Sequence, residues 1–389
     1  MKPLVTHEIG SLAKPNWRVK LLTGRPLTDT DIEDAKYWAT QLGLKSEGDE
    51  LLSILHKRKG ISDQDKQRVI HISSLFATKL LEKAGLDLVF DGEQHRIEMY
   101  EHVIRNVEGF KFYGHVRSFD NKYYRRAACV YRPSLKRYYH LDEFNTVKGF
   151  TSKPIKVPVT GAYTVVDWSF DEYYMKNVAI GTRTAHEARH VARVRFLKDV
   201  AERIVKPNLK SLIDAGAKYI QLDEPAATTK RDEVGNFIDT VIWTIGELKH
   251  TDVFWSIHIC FSNYSMLFPH IEKLQGIVHE LHFEYANRDT KQLGRHPDVR
   301  IGYDVINQLK GYNFVVGIGT IDVHTDYVEP PELVRDRILY VVDIIGDPYR
   351  VFVAPDCGLR TRSWRIAYQK LRNMVEGRNL AARELGLAV

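Results

Sequence analysis

Cysteine is scarce in this 389-residue chain, with three residues at Cys129, Cys260 and Cys357. An odd, sparse set builds no disulfide framework and suits a reducing cytosol, which leaves the thiols free for other chemistry. No apolar run approaches the roughly 20 residues that a membrane span needs. The start of the chain, Met1-Lys2-Pro3-Leu4-Val5-Thr6-His7, lacks the apolar core of a signal peptide. No Gly-x-Gly-x-x-Gly or Walker-type loop offers a phosphate cradle. Charge of one sign is only mildly in excess, at +6 with 27% charged and 44% hydrophobic residues. That balance admits anionic ligands but argues for neither a nucleic acid nor a membrane as partner. Low-complexity segments, short repeats and linkers are also lacking, so 1–389 is expected to form a single domain in the cytoplasm.

What is present is an alternation of strand-like and helix-like runs, the mark of an α/β architecture with a parallel sheet. Strands are expected at 4–9, 87–91, 155–160, 219–222, 253–259, 280–283, 314–318 and 351–353, each followed by helical sequence. Eight such units close a (β/α)8 barrel, although a doubly wound open sheet could carry similar elements. Helices are expected over 63–84, about 185–215, about 332–345 and about 364–385. Two stretches break the rhythm. A polar segment at about 28–60 reads as a helical insertion, and 109–150, rich in Tyr and Arg with a turn at Asp120-Asn121, reads as a β-hairpin excursion.

Chemically useful residues gather just after the expected strands: Ser11, Asp91 and Glu93, Asp223 and Glu224, His258 and Cys260, Glu284, Asp322 and His324, and Asp356 and Cys357. In a parallel barrel the C-terminal strand ends share one rim, so residues far apart in the chain converge there. His258 and Cys260 are two apart and point the same way from a strand. With Glu284 and Cys357 they make a donor set of imidazole, carboxylate and two thiols that zinc accepts. Taken singly, His258 reads more readily as a satisfied core histidine, and Cys260 as a small buried apolar residue. Glu284 is harder to dismiss, because a carboxylate ending an apolar strand needs a partner.

A thiol bound to zinc loses its proton yet stays nucleophilic, so the sulfur-rich set suits thiol alkylation. Glu93, Asp223 and Glu224 could bind an ammonium group, or could serve as ion pairs and helix caps. His324, next but one to Asp322, suits proton transfer or is simply a surface histidine. The cation–aromatic mixture of Lys122 to Arg126, Tyr131-Arg132 and 136–139 allows an anionic partner, but a hairpin whose rings cover the barrel explains it better. The basic residues Arg360, Arg362, Arg365, Lys370 and Arg372 at the last helix read as a solvated face in the same way.

These motifs together resemble the catalytic C-terminal half of cobalamin-independent methionine synthase. The resemblance spans nearly the whole chain, through Ile9-Gly10-Ser11, Asp91-Gly92-Glu93, Trp168-Ser169-Phe170, Gln221 to Ala226, His258-Ile259-Cys260, Phe283-Glu284, Asp322-Val323-His324 and Pro355 to Arg362. It implies a (β/α)8 barrel with zinc on His258, Cys260, Glu284 and Cys357. It also implies homocysteine held at its amino-acid end by Ile9, Ser11, Glu93 and Asp223. His324 matches the family's general acid, and Trp168 the aromatic that stacks on a folate donor. Two departures bear on the donor. The chain is too short for the family's additional N-terminal barrel, and Ala127-Ala128-Cys129 stands near where an Arg is expected. Short members of this kind are thought to take methyl from a corrinoid protein, so the donor is a methylcorrinoid protein or a methyltetrahydrofolate. The epoxyalkane:coenzyme M transferases share the zinc core, but His324 and the Pro355 to Arg362 run look like the methionine synthase pattern. A non-catalytic zinc barrel that docks a carrier is the third reading.

Overall fold

The computed structural model describes residues 2–57, 60–117, 123–178 and 184–388. Nine strands are defined in chain order: β1 (Val107–Arg117), β2 (Tyr123–Leu135), β3 (Lys156–Thr160), β4 (Phe170–Asp171), β5 (Tyr219–Asp223), β6 (Phe254–Ile259), β7 (Glu280–Phe283), β8 (Val315–Gly319) and β9 (Val351–Ala354). Strands β3, β5, β6, β7, β8 and β9 form one parallel sheet in that order. Six of the eight expected barrel strands therefore stand within a residue or so of their expected limits.

The other two, 4–9 and 87–91, are narrowed to isolated parallel bridges, Thr6 to Val353, His7 to Leu88 and Val89 to Ile155. They still close the ring between β9 and β3, through His7 N to Val353 O at 3.1 Å and Lys156 N to Val89 O at 3.1 Å. Side chains replace part of the ladder here. Asp87 Oδ2 accepts from the Thr6 amide at 2.8 Å, and Thr6 Oγ1 accepts from the Asp87 amide at 3.0 Å. The backbone groups are thus satisfied without a regular strand pair. The fold is a (β/α)8 barrel. One expectation fails: helices do not fill every gap, since 3-10 turns (Tyr264–Leu267, His270–Leu274) follow β6 and only turns with the one-turn helix Ile306–Leu309 follow β7.

The helix Asp63–Ala84 starts on a Ser62–Asp65 capping box and stops at Gly85 with φ 92°. The run expected over 185–215 is not uniform: Ala185–Val200 passes through a π-helical turn, Ala201–Val205, into Lys206–Asp214. Pro207 explains the turn, because it donates no hydrogen bond and its ring crowds the carbonyl four residues back. The insertion folds as two helices, Asp29–Gln41 and Lys45–His56. Trp38 from the first lies edge-on to Trp364 at 5.6 Å, tying the insertion to the last helix, Trp364–Glu384. On that helix Lys370 is not solvated as expected: it is buried and pairs with Glu329 at 2.8 Å.

The excursion expected over 109–150 is an antiparallel hairpin only as far as Leu135, β1 with β2, extended by β4 beside Ala128 and Cys129, and its last part is a helix, Leu141–Lys148. The turn expected at Asp120-Asn121, and Lys122, lie outside the described residues. Ala127, Ala128 and Cys129 are fully buried, so small side chains at this point let the hairpin sheet press against the barrel. Among the described residues no helix is long and apolar enough to cross a membrane.

Strand registry sorts the side chains. Val157, Val159, Ile220, Leu222, Trp255, Ile257, Leu281, Phe283, Val316 and Ile318 belong to the main apolar core. The alternate positions (Lys156, Gln221 and Asp223, Ser256 and His258, Glu280 and His282, Gly317 and Gly319) face the barrel interior. A small second apolar cluster of Val5, Leu88 and Phe352, with Tyr219, Phe254 and Val315 against it, occupies the same alternation one step earlier and plugs the N-terminal end. Gly319 makes room for the rim: a Cβ there would sit 2.0 Å from Asp356 Oδ1 and 2.8 Å from Asp356 Cα. Gly319→Ala is therefore expected to cost about 2 kcal/mol or more of stability, read as a lowered urea midpoint; an unchanged midpoint would show that the rim can yield.

Candidate metal centre

His258 is the penultimate residue of β6 and Cys260 follows the strand, both buried, while Cys357 is in the turn after β9. An imidazole nitrogen of His258 and the sulfurs of Cys260 and Cys357 lie within 4.8 Å of one another. Donors of a tetrahedral site with bonds of about 2.0–2.3 Å stand roughly 3.5 Å apart, so the trio needs little adjustment to grip one ion. His258 Nδ1 is 2.9 Å from His282 Nδ1, whereas His258 Nε2 is buried without a hydrogen-bond partner. Burial, with the Lys156 and His7 charges, lowers the His258 pKa to about 3, which keeps the ring neutral as a metal ligand requires. The Cys357 contact, burial and the Glu284 charge push the Cys260 thiol well above its ordinary range.

Glu284 follows β7 and is fully buried. It stands outside the compact trio. Its Oε2 accepts from Asn287 Nδ2 at 2.9 Å, and its Oε1 has no hydrogen-bond partner, although the His324 Nε2 atom is 3.9 Å away. Burial and the Asp356 charge push the Glu284 carboxyl up to about 8. A buried oxygen of this kind is costly unless something positive meets it.

Asp356 holds the two loops together. Its carboxylate accepts from the backbone N–H groups of Tyr285 at 2.8 Å, Ala286 at 2.9 Å and Asn287 at 2.7 Å. The turn carrying Glu284 is thus clamped to the turn carrying Cys357. The sequence offers Asp356 only as one more acidic residue after a strand, because its partners are backbone groups 70 residues away.

Of the acidic residues, Asp223 is buried at the end of β5 and accepts from Gln221 Nε2 at 2.6 Å. Burial and the Glu93 charge push it up to about 8. Glu93 is buried with a left-handed backbone, φ 57°, and contacts Arg96 Nη1 at 3.4 Å. Phe261, just past Cys260, is left-handed too, φ 49°; strain of on the order of 1 kcal/mol at each such residue persists only where the surroundings enforce it. Glu224 is a cap, its oxygens accepting from the Tyr163 and Thr164 amides at 3.1 and 2.8 Å. The Ile9 carbonyl accepts from Gln221 Nε2 at 2.7 Å. Ser11 abuts the Cys357 turn so closely that a Cβ on Gly358 would lie 2.3 Å from Ser11 Oγ. A cavity of about 700 Å³ opens beside Ser11 and Glu93, lined also by Ile97, Glu98, Arg360 and Trp364.

His324 is partly exposed, and Phe261 meets its ring edge-on at 4.7 Å. Asp322 Oδ1 accepts from the His324 backbone N–H at 2.8 Å, which shapes the turn. The half-buried Trp168 ring stacks on Tyr124 of the hairpin at 5.1 Å, with Tyr100 at 6.2 Å.

Below the trio runs a polar column that sequence reading missed. Lys156 Nζ donates to Gln221 Oε1 at 2.5 Å and to the Glu8 carbonyl, and lies 2.9 Å from His7 Nδ1, while His7 Nε2 is 3.1 Å from Glu280 Oε1. The available signal was polar residues at every second position of otherwise apolar strands. A second cluster of His102, His140 and Glu143 also has metal-like spacing, but the Arg96 guanidinium already pairs with Glu143 at 2.9 Å.

The family model described as cobalamin-independent synthase, catalytic domain, matches residues 49–379. The methionine synthase of Thermoplasma acidophilum is 41% identical over 318 residues, which is 79% of this chain and 88% of that protein. That of Thermoplasma volcanium is 36% identical over 99% of this chain and 100% of its own. Among solved structures, a B12-independent methionine synthase from Shewanella sp. W3-18-1 in complex with selenomethionine has a TM-score of 0.73 at 20% identity, over 99% of both chains; this is a likeness of fold.

Asp356→Asn replaces one acceptor by a donor facing backbone N–H groups. It is expected to lower the unfolding free energy by about 2 kcal/mol, measured by urea denaturation; wild-type stability would show that the clamp contributes nothing.

Proposed function

Since this chain belongs to the catalytic-domain family of the cobalamin-independent synthases, we propose that it is the methyltransferase that methylates the thiol of homocysteine to give methionine. The observation that carries the reading is the meeting, on one rim, of a neutral imidazole with an open nitrogen, two thiols, a partnerless carboxylate oxygen and a second acidic group, Asp223. His258, Cys260 and Cys357 would hold a zinc ion, with Glu284 reaching it through the orphaned Oε1. Zinc, when bound, lowers the pKa of a substrate thiol and leaves the sulfur nucleophilic near neutral pH.

The chain's own residues do the rest. Among the described residues Asp223 forms no ion pair, and it is raised by burial and by Glu93. An ammonium group beside the two carboxylates relieves both penalties, whereas the sulfonate of coenzyme M would be repelled. Ile9 and Ser11 flank the same point and complete the grip on the amino-acid end. Holding that end fixes where the sulfur lies, and orientation of this kind lowers the barrier by removing the entropy cost of alignment.

Two donors fit the rim. The half-buried Trp168 and Tyr124 rings form an aromatic surface for a methyltetrahydrofolate, and the open cavity beside Ser11 is where a methylcorrinoid carried by a protein would approach. His324 would protonate the folate leaving group, while a departing corrinoid needs no acid. We place the reaction in the cytoplasm, with zinc as cofactor and no nucleic-acid or membrane partner.

The test is a matrix of thiols (homocysteine, coenzyme M) against donors (methylcobalamin, methyltetrahydrofolates, epoxides) on the zinc-loaded protein. Methionine from homocysteine is the expected product. Product from coenzyme M and an epoxide alone would favour the other transferase, and none from any pair would favour a docking barrel. His324→Ala is expected to cut folate-dependent turnover by about 100-fold or more while leaving corrinoid-dependent turnover within a few-fold; equal losses would remove the acid role.

A further inference from the structure

Lys156 is buried inside the barrel, and its one part in the chemistry described so far is the charge it presents to His258. A lysine ammonium has three donor hydrogens and no acceptor. It meets acceptors on several sides: the Glu8 carbonyl, His7 Nδ1 at 2.9 Å and Gln221 Oε1 at 2.5 Å. The amide of Gln221 can in principle sit either way round, and only its partners decide which. Here they agree. Lys156 requires an oxygen facing it, while the Ile9 carbonyl at 2.7 Å and Asp223 Oδ1 at 2.6 Å require donors, so the NH2 group faces both. The amide is locked, and its two hydrogens are assigned to two groups that flank the proposed substrate position.

We infer that Lys156 and Gln221 are positioning residues that aim the Asp223 carboxylate and the Ile9 carbonyl at the ammonium group of the amino-acid thiol. The inference rests on the reading of homocysteine as substrate and goes beyond it, because neither side chain touches the ligand. With one oxygen of Asp223 tied to Gln221, the carboxylate plane is fixed and its other oxygen is left for the ligand. Without Lys156 the amide can turn over, and its oxygen would then confront Asp223 and the Ile9 carbonyl, acceptor against acceptor. The loss should fall chiefly on recognition of the amino group, since no hydrogen bond links Lys156 or Gln221 to His258, Cys260, Glu284 or Cys357 among those described; the Lys156 charge helps lower the His258 pKa, but burial is the larger cause and keeps that ring neutral without it.

The experiment compares homocysteine with 4-mercaptobutyrate, the same chain without the amino group, by calorimetric titration of zinc-loaded protein. Wild type is expected to prefer homocysteine. In Lys156→Met that preference should fall at least tenfold, with affinity for 4-mercaptobutyrate and zinc content unchanged. Removing a buried cation can unfold the barrel, so Gln221→Met is the second variant; it breaks the relay and leaves Lys156 on His7 and the Glu8 carbonyl. The same tenfold loss of preference is expected there. A folded Gln221→Met protein that keeps the wild-type preference would overturn the positioning role alone. Equal weakening of both thiols would overturn it as well, by showing a general structural effect. A wild-type protein that does not prefer homocysteine would overturn the substrate reading and this proposal with it.

Discussion

A closed parallel barrel sends every second side chain of each strand into a space without water. Whatever lies there must be apolar or mutually paired, because an isolated buried charge is prohibitively costly. The chain meets this constraint in steps. Val5, Leu88 and Phe352 plug the N-terminal end. Lys156, His7, Glu280 and Gln221 then satisfy one another as a hydrogen-bonded column. Above them His258 Nε2 and Glu284 Oε1 are buried without a hydrogen-bond partner, and the Asp223 carboxyl is pushed up by burial and the Glu93 charge. Unpartnered polar atoms thus remain at the rim, where a positive group meeting them would remove a penalty.

The rim depends on devices that are not themselves ligands. Asp356 gathers three backbone N–H groups and so sets the Glu284 turn against the Cys357 turn. Gly319 and Gly358 leave the space that Asp356 and Ser11 fill. Glu93 and Phe261 keep strained backbones that only a well-packed surround can maintain. These features help bring side chains from strands far apart in sequence together, with His258, Cys260 and Cys357 within 4.8 Å of one another.

The hairpin adds what the barrel alone does not have. Its buried Ala127-Ala128-Cys129 run lets it lie close on the barrel, and Tyr124 is thereby laid on Trp168. An aromatic pair is therefore shared between a loop of the barrel and an excursion from it, which couples the setting of Trp168 to the packing of the hairpin.

Much of this was legible in the residues themselves. Short apolar runs placed six barrel strands closely, because buried parallel strands read as such runs whatever their partners. His258 and Cys260, two apart on a strand, share a face by local geometry alone. Other features depended on partners distant in the chain. Whether Glu224 binds a ligand or caps a helix was decided by the amides of Tyr163 and Thr164. Segments 4–9 and 87–91 became bridges because Thr6 and Asp87 side chains took over ladder bonds. Lys156 looked like any strand lysine until ring closure enclosed it. The pair His258 and Cys260 was thus set by periodicity, which is local. Its meeting with Cys357 within 4.8 Å, and the aim of Asp223 beside it, were decided only by closure of the barrel, which converts sequence distance into contact.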